Sequence, residues 1–169
     1  MSSNENIEYW LAGPVKGVTQ LLQPVAYAIL QSRREITGSM REFPEDLLWQ
    51  RPGGVASVAF HLQHIPGVLD RLFTYASGQP LSPGQMEYLQ KEGKEALSVN
   101  VNDLLRYLDK HVDQAIDRLK EIPATTLLET RLVGRKQIPS NTLGLLFHAA
   151  EHMQRHTGQL LVTARILRQ

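Results

Sequence analysis

The chain has 169 residues, of which 42% are hydrophobic, so it is apolar enough for one folded domain over residues 1–169 and too apolar for a disordered segment. Its 18 basic and 17 acidic side chains leave a formal net charge of +1, which gives no electrostatic argument for nucleic acid or an anionic membrane as partner. Cysteine is absent, so disulfides, thiolate nucleophiles, iron–sulfur clusters and cysteine zinc sites are excluded, and any metal must bind through His, Asp or Glu.

Four segments have helical hydrophobic periodicity, and convincing runs of alternating β-branched residues are missing, so the pattern predicts an all-α fold. The first segment covers residues 14–37, and Pro24 within it predicts either a kink or a helix that begins there. The second follows the breaker at residues 51–54, runs to about residue 76 and contains Pro66.

The second half of the chain supplies the other two predicted helices. The third segment opens near Asn102, which is predicted to be its N-cap, and Pro123 ends it. The fourth begins after Pro139 at the cap-competent residues 140–142 and continues to the C-terminus.

Four amphipathic helices predict a four-helix bundle. Residues 77–100, between the second and third helices, form a crossover long enough to run along the bundle, with a short extra helix expected over residues 86–97. Because the first two helices are joined by a shorter segment, the expected order is up-down-down-up.

Five of the six histidines fall into two clusters, one on the second predicted helix and one on the fourth. In the C-terminal cluster a four-residue spacing turns each imidazole by about 40° and raises it by roughly 6 Å. His152 and His156 lie on the apolar seam of this helix and are expected to point inward. His148 shares a stripe with Glu151 and Arg155, an i,i+4 ion pair, and is expected at the rim.

The second helix offers a third nitrogen ligand from His61 or His64, and spacing alone does not choose between them. Pro66 leaves the carbonyl of Leu62 without its helical partner, so the backbone beside His64 is expected to be bent and open. Each cluster alone fits an ordinary hydrogen-bonded core histidine. Two clusters on separate helices that face one core favour a shared cation, because buried imidazoles need polar partners.

The helix SVAFHLQHI and the C-terminal helix HAAEHMQRHTGQLL together resemble the DinB/YfiT-like proteins, bacterial four-helix bundles with a three-histidine metal site. The resemblance covers most of the chain, and the most specific part is His-x-x-x-His followed by TGQ. It implies His64, His152 and His156 as the metal ligands, with His61 and His148 outside the ligand set. It also implies the up-down-down-up order.

The resemblance implies more than one activity. Some relatives transfer low-molecular-weight thiols such as bacillithiol or mycothiol onto electrophiles, and others isomerise thiol adducts. Three neutral imidazoles leave a divalent metal with an open position, where a bound thiol or water becomes a nucleophile near neutral pH. A metal-dependent thiol transferase therefore ranks first and metal-assisted hydrolysis second. A noncatalytic metal-binding or small-molecule-binding bundle with a stress-related role is the alternative from another class.

Zinc or nickel is the expected metal, although imidazole ligands also suit iron and copper. Beyond the ligands the sequence identifies no catalytic residue. Glu151 is expected to pair with Arg155 rather than to act as a base. Arg71 and Tyr75, on the helix of His64, are candidate cleft residues, but we expect Arg71 at the solvated surface and Tyr75 in core packing.

Partners and compartment are inferred from what the sequence lacks. The first twenty residues have no basic stretch followed by an apolar run, and no segment approaches the roughly 18 apolar residues of a membrane span. The sequence lacks the basic face with interleaved aromatic residues that would indicate nucleic-acid binding. We therefore expect a cytoplasmic protein with a small-molecule substrate, without nucleic acid or membrane as partner, that can pair as a homodimer through a helix face.

Overall fold

The computed structural model describes residues 7–96 and 98–169, and this part of the chain is mostly helical with one small two-stranded sheet. Its helices are α1 (Gln23–Ser39), α2 (Val58–Ala76), α3 (Pro83–Lys91), α4 (Val101–Glu121) and α5 (Thr142–Leu167), and its strands are β1 (Thr130–Val133) and β2 (Ile138–Asn141). No helix among these residues is long and apolar enough to cross a membrane.

The two interior prolines of the sequence have different outcomes. Pro24 lies in the first turn of α1, where its missing N–H would have had no helical acceptor, so the helix begins there rather than kinking. Pro66 lies within α2, which continues through it to Ala76. The bend expected beside His64 therefore does not interrupt the helix.

The N-cap of α4 is Asn100 and not Asn102, so the prediction was wrong by two residues. Asn100 has the extended backbone that an N-cap requires, with φ −122° and ψ 167°. Its side-chain oxygen accepts a hydrogen bond from the backbone N–H of Asp103 at 2.9 Å. Asn102 lies inside the first turn, exposed to solvent.

An antiparallel hairpin lies between α4 and α5, and the all-α prediction missed it. The register runs from Thr130 opposite Asn141 to Val133 opposite Ile138. Each strand has four residues and none of them is buried, so the sequence carries no strong alternation there. Asn141 ends β2 and caps α5 by accepting a hydrogen bond from Gly144 N at 2.7 Å, as the cap-competent segment predicted.

The segment that connects α2 to α4 contains α3 at Pro83–Lys91. This helix begins three residues earlier than the predicted span 86–97, because Ser82 and Gln85 form a capping box. It ends at Lys91, so the prediction was wrong for residues 92–96, which are not helical. Leu97, the predicted end of the short helix, lies outside the described residues.

The four long helices pack around one hydrophobic core. α2 lies against both α4 and α5, and α1 lies against the same two helices. Leu62, Ile65 and Leu69 of α2 and Leu145 and Leu160 of α5 are among the fully or almost fully buried apolar side chains. This packing is consistent with the predicted helical bundle and brings the two histidine clusters into one interface.

The corrected N-cap gives a direct test of the helix boundary. We expect Asn100→Ala to lower the free energy of unfolding by about 1 kcal/mol, because a backbone N–H of the first turn loses its acceptor. Asn102→Ala is the matched control and should change it by less than about 0.5 kcal/mol. Urea unfolding followed by circular dichroism measures both, and a larger loss for Asn102→Ala would contradict this boundary.

Candidate metal centre

The two histidine clusters meet across the interface of α2 and α5. Nε2 of His64 lies 3.0 Å from Nε2 of His152, and Nδ1 of His61 lies 3.0 Å from Nδ1 of His156. One nitrogen from each of His64, His152 and His156 lies within 4.8 Å of the other two. The three residues predicted as ligands are therefore brought together, and His61 contacts the group from one side.

Most of these imidazoles are neutral near pH 7. Burial is the main cause that lowers the pKa of His61, His152 and His156 to about 4, and the neighbouring His64 lowers it further. A neutral imidazole keeps a lone pair on one ring nitrogen, which is the form that binds a metal ion.

The orientation of His64 depends on Glu92, which the sequence analysis did not identify. Nδ1 of His64 lies 2.7 Å from Oε2 of Glu92. An ionised carboxylate only accepts hydrogen bonds, so Nδ1 carries a hydrogen and Nε2 is the ring nitrogen left to bind a metal ion. Burial alone would raise the pKa of Glu92, but hydrogen bonds from His64 and Arg71 hold that pKa below its usual value.

Arg71 is buried beside this carboxylate, so its expected place at the solvated surface was wrong. Nη1 of Arg71 donates to Oε1 of Glu92 at 2.5 Å, and Nη2 donates to Oε2 at 3.3 Å. The pattern of α2 alone predicts that Arg71 is exposed, because the residue that covers it, Glu92, lies in the connection after α2. Tyr75 is partly buried and packs against the core, as expected.

Two further residues shape the surroundings of His64. The ring of Phe60 stacks on the imidazole, with centroids 5.1 Å apart and planes at 14°. Gly67 lies one turn further along α2, where an added Cβ would come within 2.3 Å of Oε1 of Glu92. A side chain at position 67 would therefore displace the carboxylate.

The rim of the cluster is as predicted. The side chain of His148 is half exposed, with Nδ1 3.3 Å from Oε2 of Glu151. Nε of Arg155 donates to Oε1 of Glu151 at 2.9 Å, the expected ion pair. His148, Glu151 and His152 also bring ligand atoms within 4.8 Å of one another, but this second group shares His152 with the first and its carboxylate is already paired.

Whether a metal fits can be judged from the donors themselves. Three imidazole nitrogens form a donor set that suits zinc, nickel, copper or iron rather than magnesium or calcium. Nδ1 of His152 is buried without a hydrogen-bond partner in the described part of the chain. The hydrogen bonds of the chain thus leave the cluster incompletely satisfied, and the donor set could hold a divalent ion.

Comparison with known proteins gives one family. A sequence model of the DinB superfamily matches residues 28–160, which include α2, α3, α4 and all three histidines of the proposed ligand set. A search of curated proteins found no match.

The lowered pKa values predict how stability depends on pH. In the metal-free protein the free energy of unfolding should fall between about pH 6.5 and 4, because the unfolded imidazoles bind protons there and the folded ones do not. His61→Gln removes one such group and should therefore make this fall in stability with decreasing pH shallower. Urea unfolding near pH 7 and near pH 5 measures how much the free energy of unfolding changes between the two pH values. The same change in His61→Gln as in the natural protein would contradict the buried neutral state of His61.

Proposed function

The chain belongs to the DinB superfamily, and from that membership and the histidine cluster we propose that it is a metal-dependent transferase acting on a low-molecular-weight thiol. The observation that carries the proposal is the convergence of His64, His152 and His156, with ligand atoms within 4.8 Å of one another. A divalent transition metal ion at this position, zinc or nickel first, would supply the positive charge that keeps a bound thiol or water deprotonated near neutral pH.

Two features favour a reactive site over a closed structural one. Three protein ligands leave a metal coordination position for substrate, whereas structural zinc sites use four. The side chain of His64 is 17% exposed and the rim beyond it, with His148 and Arg155, is polar, so a small polar substrate can approach. The chain contains no cysteine, so a sulfur nucleophile must arrive with the substrate.

The residues of the chain prepare this position before substrate binds. The depressed pKa of His152 and His156 keeps both rings unprotonated at neutral pH. Phe60 covers one face of His64 and excludes water from that side. We expect a small thiol to approach the cluster from the rim of α5, where His148 and Arg155 are exposed.

We also propose that the four long helices run up, down, down, up. Gln154 of α5 bonds to Ala28 of α1, and Arg168 after α5 bonds to Ser39 at the end of α1, which supports parallel α1 and α5. The two histidine pairs of α2 and α5 follow opposite orders along the chain, which supports antiparallel packing. The connection that contains α3 is long enough for α4 to run in the direction of α2.

The ligand set predicts which histidines the metal requires. After zinc loading and desalting, we expect stoichiometric metal in the natural protein and none in His64→Ala or His152→Ala, measured by elemental analysis. His111→Ala removes a buried histidine of α4 whose Nδ1 bonds to the carbonyl of Tyr107, and it should retain the metal. If His61→Ala loses the metal and His64→Ala keeps it, the ligand assigned on α2 is wrong.

The proposed reaction has a direct chemical test. In the presence of an aryl chloride, the sulfur of the thiol forms a bond to the ring carbon, chloride leaves and the thiol proton goes to solvent. We expect metal-dependent formation of this adduct with at least one of several low-molecular-weight thiols, detected by mass spectrometry, and its loss in His64→Ala. No metal-dependent adduct with any thiol would contradict the transferase and favour noncatalytic binding.

A further inference from the structure

We propose that Glu92, held by Arg71, is a positioning residue that keeps Nε2 of His64 free for the metal. The inference rests on the proposed metal site and adds residues outside the histidine motif. Glu92 follows the last residue of α3, so the site extends from α2 and α5 to the connection between α2 and α4.

The contact with Glu92 decides which tautomer His64 adopts. A neutral imidazole carries its hydrogen on either Nδ1 or Nε2, and the partner of one nitrogen decides which nitrogen stays free. Oε2 of Glu92 lies 2.7 Å from Nδ1 and can only accept. Without this carboxylate, part of the His64 population would carry hydrogen on Nε2, where the metal has to bind.

Arg71 holds the carboxylate of Glu92 in its ionised form. Only 5% of the Glu92 side chain and 10% of the Arg71 side chain are exposed. A buried carboxylate is stable only with charged or hydrogen-bonding partners, and the two nitrogens of Arg71 reach both of its oxygens. His64 and Arg71 lie two helical turns apart on one face of α2, so the helix holds Glu92 from both sides.

At Gly67 the surface of α2 leaves space for this carboxylate. Gly67 lies between His64 and Arg71, and a Cβ on it would come 2.3 Å from Oε1 of Glu92 and 2.9 Å from Nη1 of Arg71. These distances are below van der Waals contact, so any larger residue would push the carboxylate away. The face of α2 is therefore shaped to receive Glu92.

Further contacts hold the connection against α2 on either side of Glu92. The hydroxyl of Tyr88 donates to the carbonyl of Gln63 at 2.9 Å, and the backbone N–H of Gly93 donates to Oε1 of Gln63 at 2.8 Å. Gly93 has φ +77°, and a Cβ there would lie 2.9 Å from the ring of Phe60. The carboxylate is thus placed by an ordered segment and not by a free side chain on the surface.

Zinc affinity distinguishes a positioning role from simple neutralisation of Arg71. We expect Glu92→Gln to bind zinc ions about 10–100-fold more weakly than the natural protein in a chelator-competition titration. The double variant Glu92→Leu with Arg71→Met removes both buried charges together and should bind zinc as weakly as Glu92→Gln does. If Glu92 only neutralised Arg71, the double variant would bind zinc as tightly as the natural protein.

Glu87→Gln is the matched control for this titration. Glu87 is a carboxylate of α3, five residues before Glu92, but it is exposed and pairs with the exposed Lys91. Because such surface ion pairs contribute little, its zinc affinity should stay within about twofold of the natural protein. Circular dichroism melting shows which variants are folded, and if the double variant is not, the His64 tautomer of metal-free Glu92→Gln takes its place in the comparison.

A metal-free measurement completes the test. Long-range proton–nitrogen correlation spectra of the metal-free natural protein should show His64 protonated on Nδ1, and the double variant should shift it toward Nε2. If the natural protein binds no zinc, the proposed metal site is wrong and this inference fails with it. If the natural protein binds zinc and folded Glu92 variants bind it equally tightly, or if the His64 tautomer is the same without Glu92, only the role of Glu92 is overturned.

Discussion

The packing of α2 against α5 determines where every histidine of the cluster lies. Each helix carries its imidazoles about one turn apart, and the interface sets His61 against His156 and His64 against His152. Burying imidazoles among one another removes water from polar rings and disfavours their protonation, and the pKa of His152 accordingly lies near 4. Burial of these polar rings costs free energy of folding because they lose water. The same burial keeps the buried rings neutral, so that they can donate lone pairs to a metal ion.

The connection after α2 is the second determinant of the site. It returns a carboxylate to α2, where Glu92 bonds to His64 and Arg71. The three residues form a chain of charge-assisted hydrogen bonds in which each member limits the orientation of the next. These hydrogen bonds thus link the connection between α2 and α4 to the proposed metal ligands on α2 and α5.

Local patterns were sufficient to predict the helical parts of this arrangement. The inward direction of His152 and His156 follows from the seam of one helix, which is a property of neighbouring residues. His64 and His61 could not be separated by spacing, because both lie near the buried side of α2, and only the family resemblance selected His64. The structure groups His64 with the other two and places His61 against His156.

What could not be predicted depends on contacts between distant segments. Glu92 lies 28 residues from His64 in the sequence, and no local pattern distinguishes it from the exposed Glu87 on the preceding helix α3. Arg71 looked solvated for the same reason, since the group that buries it comes later in the chain. The hairpin of β1 and β2 was missed because short exposed strands leave little hydrophobic alternation.

In the proposed metal centre, three imidazoles from two helices hold one metal ion. X-ray absorption spectroscopy of the zinc-loaded protein measures this directly, through the number of histidine rings around the ion and their distances. We expect three imidazole nitrogens at about 2.0–2.1 Å, with the remaining coordination supplied by solvent or an added thiol. A shell with one imidazole and mostly oxygen ligands would contradict it, because His64, His152 and His156 would then not bind the ion together.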